Sequence, residues 1–506
     1  MGDGWLRSGA FLVQRLLLAL LLGGLLVHLV SAGVALAVPE LLETGEPALA
    51  TAAFRASEGH SLYGAVDAPP FLHHNYTPLG SWMQTPLMRL TGPSFTPGRL
   101  LSLVATLALL VCIFRALRGE GLARMAACTG AAAFVSGGIA FPWMFVGRVD
   151  LPALALSFAA FAVLTGGTFT RGRALLFLLL ALAAWMTKQT AVAGAVAGIV
   201  VLALRGRRKE ALLLGVAWLA LVALVILWLQ RATDGSFWLH AATLNASHTR
   251  DGLGVGAIGF RDVLLAVGPL LLGLGGAGLL VIRGAVRQRW TVYLGLALAM
   301  GIVGLSKSGS HVHHLLETCA VLAVLSGHGW AALMRARVER PRAGLVAAGL
   351  FLVLGAWALH GGAWQKLKHM HWLATRASPV PAAVVEALGE SEEHVLCLGK
   401  CASLAIESRR EAWLDIADWR RLEELGFVRS EQTLIPLVRE RIFALIAVPQ
   451  YAADHPAEPL FNPLRIAGFR AAIEEHYSLM RDANGAPLRM DDPKSRHVAE
   501  FWRRKR

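Results

Sequence analysis

Four short stretches hold most of the side chains that could carry out chemistry. The first runs from Glu43 to Tyr76 and carries Glu43, Glu46, Arg55, Glu58, His60, Tyr63, Asp67, His73, His74 and Tyr76. The second is Gly147-Arg148-Val149-Asp150. The third is Thr187-Lys188-Gln189-Thr190. The fourth runs from Lys307 through His311, His313 and His314 to Glu317. Carboxylates and imidazoles can move protons during a reaction. Arginine, lysine and histidine can hold an anion, a phosphate above all. The His-x-His-His run invites a metal-site reading, because zinc takes imidazole ligands. It lacks the spacing of zinc hydrolases, and contact with a phosphate fits it better, so no metal and no cofactor is expected. The first stretch could be a plain solvated loop, but such a loop does not need Pro69, Pro70, Pro78 and Pro86 to fix its path.

These residues must be positioned by elements that are mostly apolar. Of 506 residues, 55% are hydrophobic and only 16% charged, against roughly 25% charged in ordinary soluble domains. The deficit lies in long apolar runs, and a run of roughly 20 such residues can cross a bilayer as a helix. We expect about eleven spans: 11–38, 99–118, 122–142, 150–169, 174–187, 189–204, 211–230, 263–282, 290–306, 315–334 and 343–360. The first run is longer than the apolar core of a signal peptide and has no clean small-residue cleavage site before Pro39, so it reads as a retained helix. The expected fold class is an all-α polytopic membrane protein with a small C-terminal α/β soluble domain. Its domains are a membrane part over 1–360 with a first outer loop at 39–98, a linker at 361–390, and the α/β domain at 391–506. In that last part, strands are expected at His394–Leu398 and Phe443–Val448, and amphipathic helices at Ile416–Leu425, Leu434–Arg441 and Arg470–His476.

Charge orients the stack. With the N-terminus inside, the inner connections hold Arg115, Arg118 and Arg124, then Arg171 and Arg173, then the Arg205–Lys209 cluster, then Arg283, Arg287 and Arg289. Each is short and basic, as the positive-inside rule requires. The net charge of +14 follows from these loops, and no nucleic-acid partner is expected. Histidine gives a separate asymmetry. No inner loop holds one, whereas the outer segments hold His60, His73, His74, His240, His248, His311, His313 and His314. Histidine does not set topology, so function on the outer face is the natural cause. Cys397 and Cys401 could pair if the C-terminal part lies outside.

The order of these segments resembles a known family. The stretch from Glu46 through GHSLYGAVDAPPFLHHNYTPLGSWMQTPLMRLTG to GRLLSLVATL is similar to the first-loop signature of GT-C glycosyltransferases. It is similar in particular to the branch with protein O-mannosyltransferases, aminoarabinose transferases and Rgt-type enzymes. The matching features are the acid Glu46, Gly59–Tyr63, Tyr76–Leu79 and Arg99, followed by the Gly147–Asp150, Thr187–Thr190 and Lys307–Glu317 segments. The resemblance covers nearly the whole membrane part. The family often has an Asp-Glu pair in this loop, whereas here the acids are Glu43 and Glu46.

The resemblance implies sugar transfer from a polyprenyl-phosphate donor to a glycan, lipid or protein acceptor, with membrane lipid around the enzyme. It places the reaction on the non-cytoplasmic face, in a bacterial inner membrane. Such a reaction needs a base for the acceptor proton. Glu46 is the expected base, with Glu43 second. It also needs cations at the phosphate of the leaving group, for which Lys188, Arg148, Lys307, His311 and His313 are the candidates. Lys188 would sit at a membrane-buried turn, where an ammonium needs an anionic partner or ligand. Tyr63, Asp67, His73, His74, Tyr76, Asp150 and Gln189 are expected to contact substrate. Two other classes compete. A transporter or flippase would show charges near the bilayer midplane and related halves, neither of which is visible. A non-catalytic envelope scaffold would not explain why distant loops place acids and histidines on one side.

Overall fold

The protein is described by a computed structural model, which covers residues 2–505 apart from 39–41, 44, 137–138, 247–262, 265–266, 307–310, 359–364, 376–381, 390–393, 399–401, 408–412, 414–418, 420–421, 424, 452–467 and 493–496. A helix occupies each of the eleven apolar stretches: Gly2–Ala37, Thr96–Gly119, Arg124–Ser136, Asp150–Thr165, Arg171–Thr187, Ala193–Leu204, Arg208–Ala232, Pro269–Val281, Gly284–Leu305, Leu316–Glu339 and Pro341–Ala358. Among the described residues, four segments are long and apolar enough to cross a membrane: Phe11–Ala37, Thr96–Gly119, Arg208–Ala232 and Val312–Ala336. Asp150–Thr165, Ala193–Leu204 and Pro269–Val281 are apolar but shorter. The helices therefore make an integral membrane protein without fixing the number of crossings at eleven.

Local sequence explains where helices begin. Pro97 and Pro269 stand in the first turns of their helices, where a missing N–H is harmless. Thr170 caps Arg171–Thr187 by accepting from the Arg173 N–H, a normal helix start. Small residues let helices meet closely. A Cβ on Gly278 would lie 1.8 Å from the Leu325 carbonyl oxygen, and one on Gly329 would lie 2.1 Å from that of Leu274. Helix Pro269–Val281 therefore packs backbone to backbone on Leu316–Glu339, as membrane helices with small contact residues do. In contrast, Arg208–Ala232 turns Leu212, Leu213, Val216 and Leu219 outward, each more than half exposed. An apolar wall of that kind is covered by lipid acyl chains in a bilayer.

The C-terminal part forms a mixed sheet in the order β1-β2-β5-β3, with β4 also on β5. The strands are β1 His394–Cys397, β2 Phe443–Tyr451, β3 Tyr477–Leu479, β4 Arg489–Asp492 and β5 His497–Arg504. β1 and β2 are parallel, and β5 is antiparallel to β2, β3 and β4. Strands over His394–Cys397 and Phe443–Tyr451 and helices at Leu434–Arg439 and Phe469–His476 stand where sequence pattern puts them. Most of the expected helix at Ile416–Leu425 lies outside the described residues, as does Cys401. This part packs on the first loop. Phe71 donates its backbone N–H to the Trp413 carbonyl and meets Trp419 edge to face at 4.9 Å.

The first loop is tied to the membrane helices by one buried ion pair. Helix Glu46–Ser57 begins at Glu46, whose carboxylate is 1% exposed. Arg99, fully buried in the first turns of Thr96–Gly119, donates to both Glu46 oxygens at 3.0 and 2.9 Å. It also donates to the Ala35 and Val38 carbonyls at the end of the first helix. The backbone N–H groups of Leu42 and Gly147 donate to the same carboxylate at 2.7 Å each. Removing one partner of such a pair leaves a charge buried and unpaired, at a cost of about 3–5 kcal/mol. We predict that Arg99→Met lowers the thermal stability of the purified protein by about that amount. A melting curve unchanged from wild type would contradict the anchoring role.

Candidate active site

At the loop-facing end of the helices, acids and bases from four separate segments meet. Arg148 lies in the loop before helix Asp150–Thr165 and is its hub. Its guanidinium donates to the Tyr76 hydroxyl at 2.8 Å and to Glu43 at 3.3 Å, and its Nε lies 3.6 Å from an Asp150 oxygen. The Trp143 and Tyr76 rings each lie 5.7 Å from its charge. Burial works against this cation, but Tyr76, Glu43 and Asp150 outweigh it and hold the guanidinium above its ordinary pKa. Asp150 opens its helix at the N-terminus, where the dipole favours a negative charge. It accepts from the Lys188 ammonium at 2.6 Å, and the His313 ring lies 3.7 Å away. His313 in turn packs on Trp143, with ring centroids 4.6 Å apart. Below them a cavity of about 100 Å³ is lined by Asp150, Lys188, His313, His314 and Glu317, among others.

The two first-loop acids have different surroundings. Glu46 accepts four hydrogen bonds, two from Arg99 and one each from Leu42 and Gly147. A carboxylate offers about four acceptor positions, so nothing remains to receive a substrate proton. The role of first-choice base expected for Glu46 does not suit this geometry. Glu43 is more open, with a side chain 29% exposed. It accepts from the Gly45 N–H at 2.8 Å and from Arg148. Gly45 leaves room here, since a Cβ on it would lie 1.6 Å from Arg148 Nη1 and 3.0 Å from a Glu43 carboxylate oxygen. The Glu43 carboxylate therefore reaches over Gly45 and stands in space where a side chain just before Glu46 would point.

The structure brings together Glu43, Tyr76, Arg148, Asp150, Lys188 and His313. Lys188 and Arg148 are not bare phosphate ligands, since each already faces an acid. Two cations and two acids nearly balance, with Arg148 Nε, Asp150 Oδ2 and His313 Nδ1 buried and lacking a hydrogen-bond partner. His311 is exposed beside His313, and Lys307 lies outside the described residues, as does His248.

Other expected contact residues serve the loop itself. Tyr63 donates to the Tyr76 carbonyl. His73 and His74 pack on His240, which sits in the π-helical turn Leu239–Leu244. Burial, reinforced by His240 and His73, pulls His74 down to about 3, so it is neutral at neutral pH. Gln189 donates to the Asn75 and Ala241 carbonyls, and Asp67 is exposed. The expectation that these residues touch substrate gains no support from their positions, apart from Tyr76 and Asp150. Sequence reasoning passed over Trp143, whose ring packs on His313 and lies near Arg148. It also passed over a network under the cavity, in which Ser157 and Tyr293 donate to Glu317 at 2.8 and 2.7 Å.

Solved structures share the fold of this chain. ArnT from Cupriavidus metallidurans bound to undecaprenyl phosphate superposes with a TM-score of 0.61 at 13% identity, over 95% of this chain and 97% of that one. Its apo state gives 0.57 at 13% identity over the same shares. The oligosaccharyltransferase AglB from Archaeoglobus fulgidus, in complex with an inhibitory peptide and a dolichol-phosphate, gives 0.52 at 10% identity over 92% of this chain and 73% of that one. No protein-family model matches the sequence, and no curated protein is similar to it in sequence.

The Asp150–Lys188 contact is measurable. In a double-mutant cycle with Asp150→Asn and Lys188→Met, we predict a coupling of about 0.5–3 kcal/mol in thermal stability, the range for residues in direct contact. Strictly additive losses would show that the two charges do not meet.

Proposed function

We infer that this protein transfers a sugar from a polyprenyl-phosphate donor to a cell-envelope acceptor on the non-cytoplasmic face of the membrane. The observation that carries this reading is the division between the two first-loop acids. One is buried and accepts four hydrogen bonds, and the other is part-exposed and paired with Arg148. The GT-C fold, with relatives solved bound to undecaprenyl phosphate and to dolichol-phosphate, supports the lipid-phosphate donor.

In the proposed reaction the acceptor hydroxyl or amine attacks the anomeric carbon. The new bond forms as the bond from that carbon to the phosphate oxygen breaks, and polyprenyl phosphate departs with the electron pair. Glu43 takes the acceptor proton, for which a positioned carboxylate is suited. Arg148 orients Glu43. Lys188, Arg148 and His313, with His311 and Lys307 nearby in sequence, meet the charge that grows on the phosphate, where fixed cations count most. Asp150 holds Lys188 and Arg148 apart and in place before substrate arrives, so little reorganisation is needed. Glu46 serves as anchor. The basic connections at the far ends of the helices support an orientation with this site outside.

The test separates the two acids. In cells lacking the native protein and complemented with variants, Glu43→Gln is predicted to lower envelope modification by about 10²–10⁴-fold, the usual worth of a general base, while the protein accumulates normally. Glu46→Gln is predicted to lower the amount of folded protein instead. Full modification by the Glu43→Gln variant would remove Glu43 from the mechanism.

A further inference from the structure

A second charged cluster sits at the opposite end of the bundle, about 20 Å from Asp150 along its helix. Three arginines from three other helices or loops converge on the last turns of Asp150–Thr165. Arg173 donates to the Val163 carbonyl and Arg205 to the Thr165 carbonyl. Arg289 places its guanidinium 5.3 Å from the Phe161 ring and 4.5 Å from the Trp290 ring, and it feels the positive charges of Arg205 and Arg173. The turn after the helix is Gly166-Gly167, where a Cβ on Gly167 would lie 2.8 Å from Arg173 Nη1, so glycine lets the guanidinium lie over the helix end.

The charges here do not balance. Glu120 is the only carboxylate, among the described residues, shown bonded to any of the three. It is shared, taking Arg289 and Trp290 on one oxygen and His328 on the other. Arg289 is 5% exposed, yet its Nε and Nη2 have no hydrogen-bond partner. The carbonyls at the helix end offer only about half a negative charge. Three clustered cations against one shared acid call for an anion. Arg205 is exposed and Arg173 half-buried, so both can present donors at the mouth of the cluster.

The surroundings indicate which anion. Leu175, Leu176 and Leu179, just beyond Arg173, are 45–59% exposed, and Leu212 and Leu213 on the next helix are each 69% exposed. The cationic cluster therefore lies at the foot of an apolar wall. That pairing matches a phospholipid, with a negative headgroup at the arginines and acyl chains along the leucines. We propose that Arg173, Arg205 and Arg289 form a binding site for the phosphate of an anionic phospholipid, at the end of the bundle opposite the candidate active site.

The test uses the full chain in nanodiscs of phosphatidylcholine, alone or with phosphatidylglycerol, with lipid retention read by native mass spectrometry. Arg205→Gln, which alters an exposed side chain, is predicted to lower phosphatidylglycerol retention roughly fivefold. Arg173→Gln with Arg205→Gln should lower it roughly twenty-fivefold, since each nearby cation adds a similar factor. Arg208→Gln, an exposed change at the same end, should stay within about twofold of wild type if the site is specific. Equal loss in Arg208→Gln, or no loss in Arg205→Gln, would overturn the proposal. Millimolar inorganic phosphate should leave the melting temperature unchanged. Stabilisation by phosphate alone, lost in Arg205→Gln, would overturn the lipid assignment in favour of a soluble phosphate.

Discussion

The bond between Arg99 and Glu46 is the constraint on which the rest of the site depends. Taking two charges out of water is costly and is tolerated only when their hydrogen-bonding capacity is met. Here it is met by three elements at once. Arg99 reaches the end of the first helix, and Glu46 reaches Leu42 and Gly147. The pair therefore fixes the end of one helix, the start of another, the first loop, and the turn that carries Arg148. Gly147 is next to Arg148 in sequence, and Leu42 is next to Glu43. The two residues that face each other in the candidate site are thus each one position from an atom held by Glu46.

The same logic of compensation continues outward. Arg148 is shared between Glu43 and Asp150, and Asp150 is shared between Arg148 and Lys188. Each charge is balanced, so the cluster can be assembled before any ligand arrives. Balance is also what makes it responsive. A phosphate near Lys188 would compete with Asp150, and a change at Asp150 would be felt through Arg148 at Glu43. The C-terminal part holds the first loop separately, through the contacts of Phe71 with Trp413 and Trp419.

Much of this was legible in the sequence, for physical reasons. Apolar runs long enough to need a membrane show themselves by length alone, and helices stand in all of them. Segments far apart in sequence, around Glu43, Arg148, Lys188 and His313, do meet. What sequence could not distinguish was the fate of two acids three residues apart. That depends on which one Arg99 reaches, and Arg99 is 53 positions from Glu46. The Trp143 contact was hidden because an aromatic residue in an apolar run looks like any core residue. Strands β3 to β5 are short or carry several charges, as in Arg489–Asp492 and His497–Arg504, and so lack the apolar alternation that marks a strand.

The central claim is that Glu43 acts on a bound lipid-phosphate sugar while Glu46 only holds the loop. The most direct measurement is mass spectrometry of lipids that co-purify with the wild-type protein and with the Glu43→Gln variant. The account predicts that the wild-type protein carries polyprenyl phosphate, whereas the variant, able to bind but not to transfer, carries the intact polyprenyl-phosphate sugar. The absence of any isoprenoid phosphate from both, or the same spent carrier in both, would contradict it.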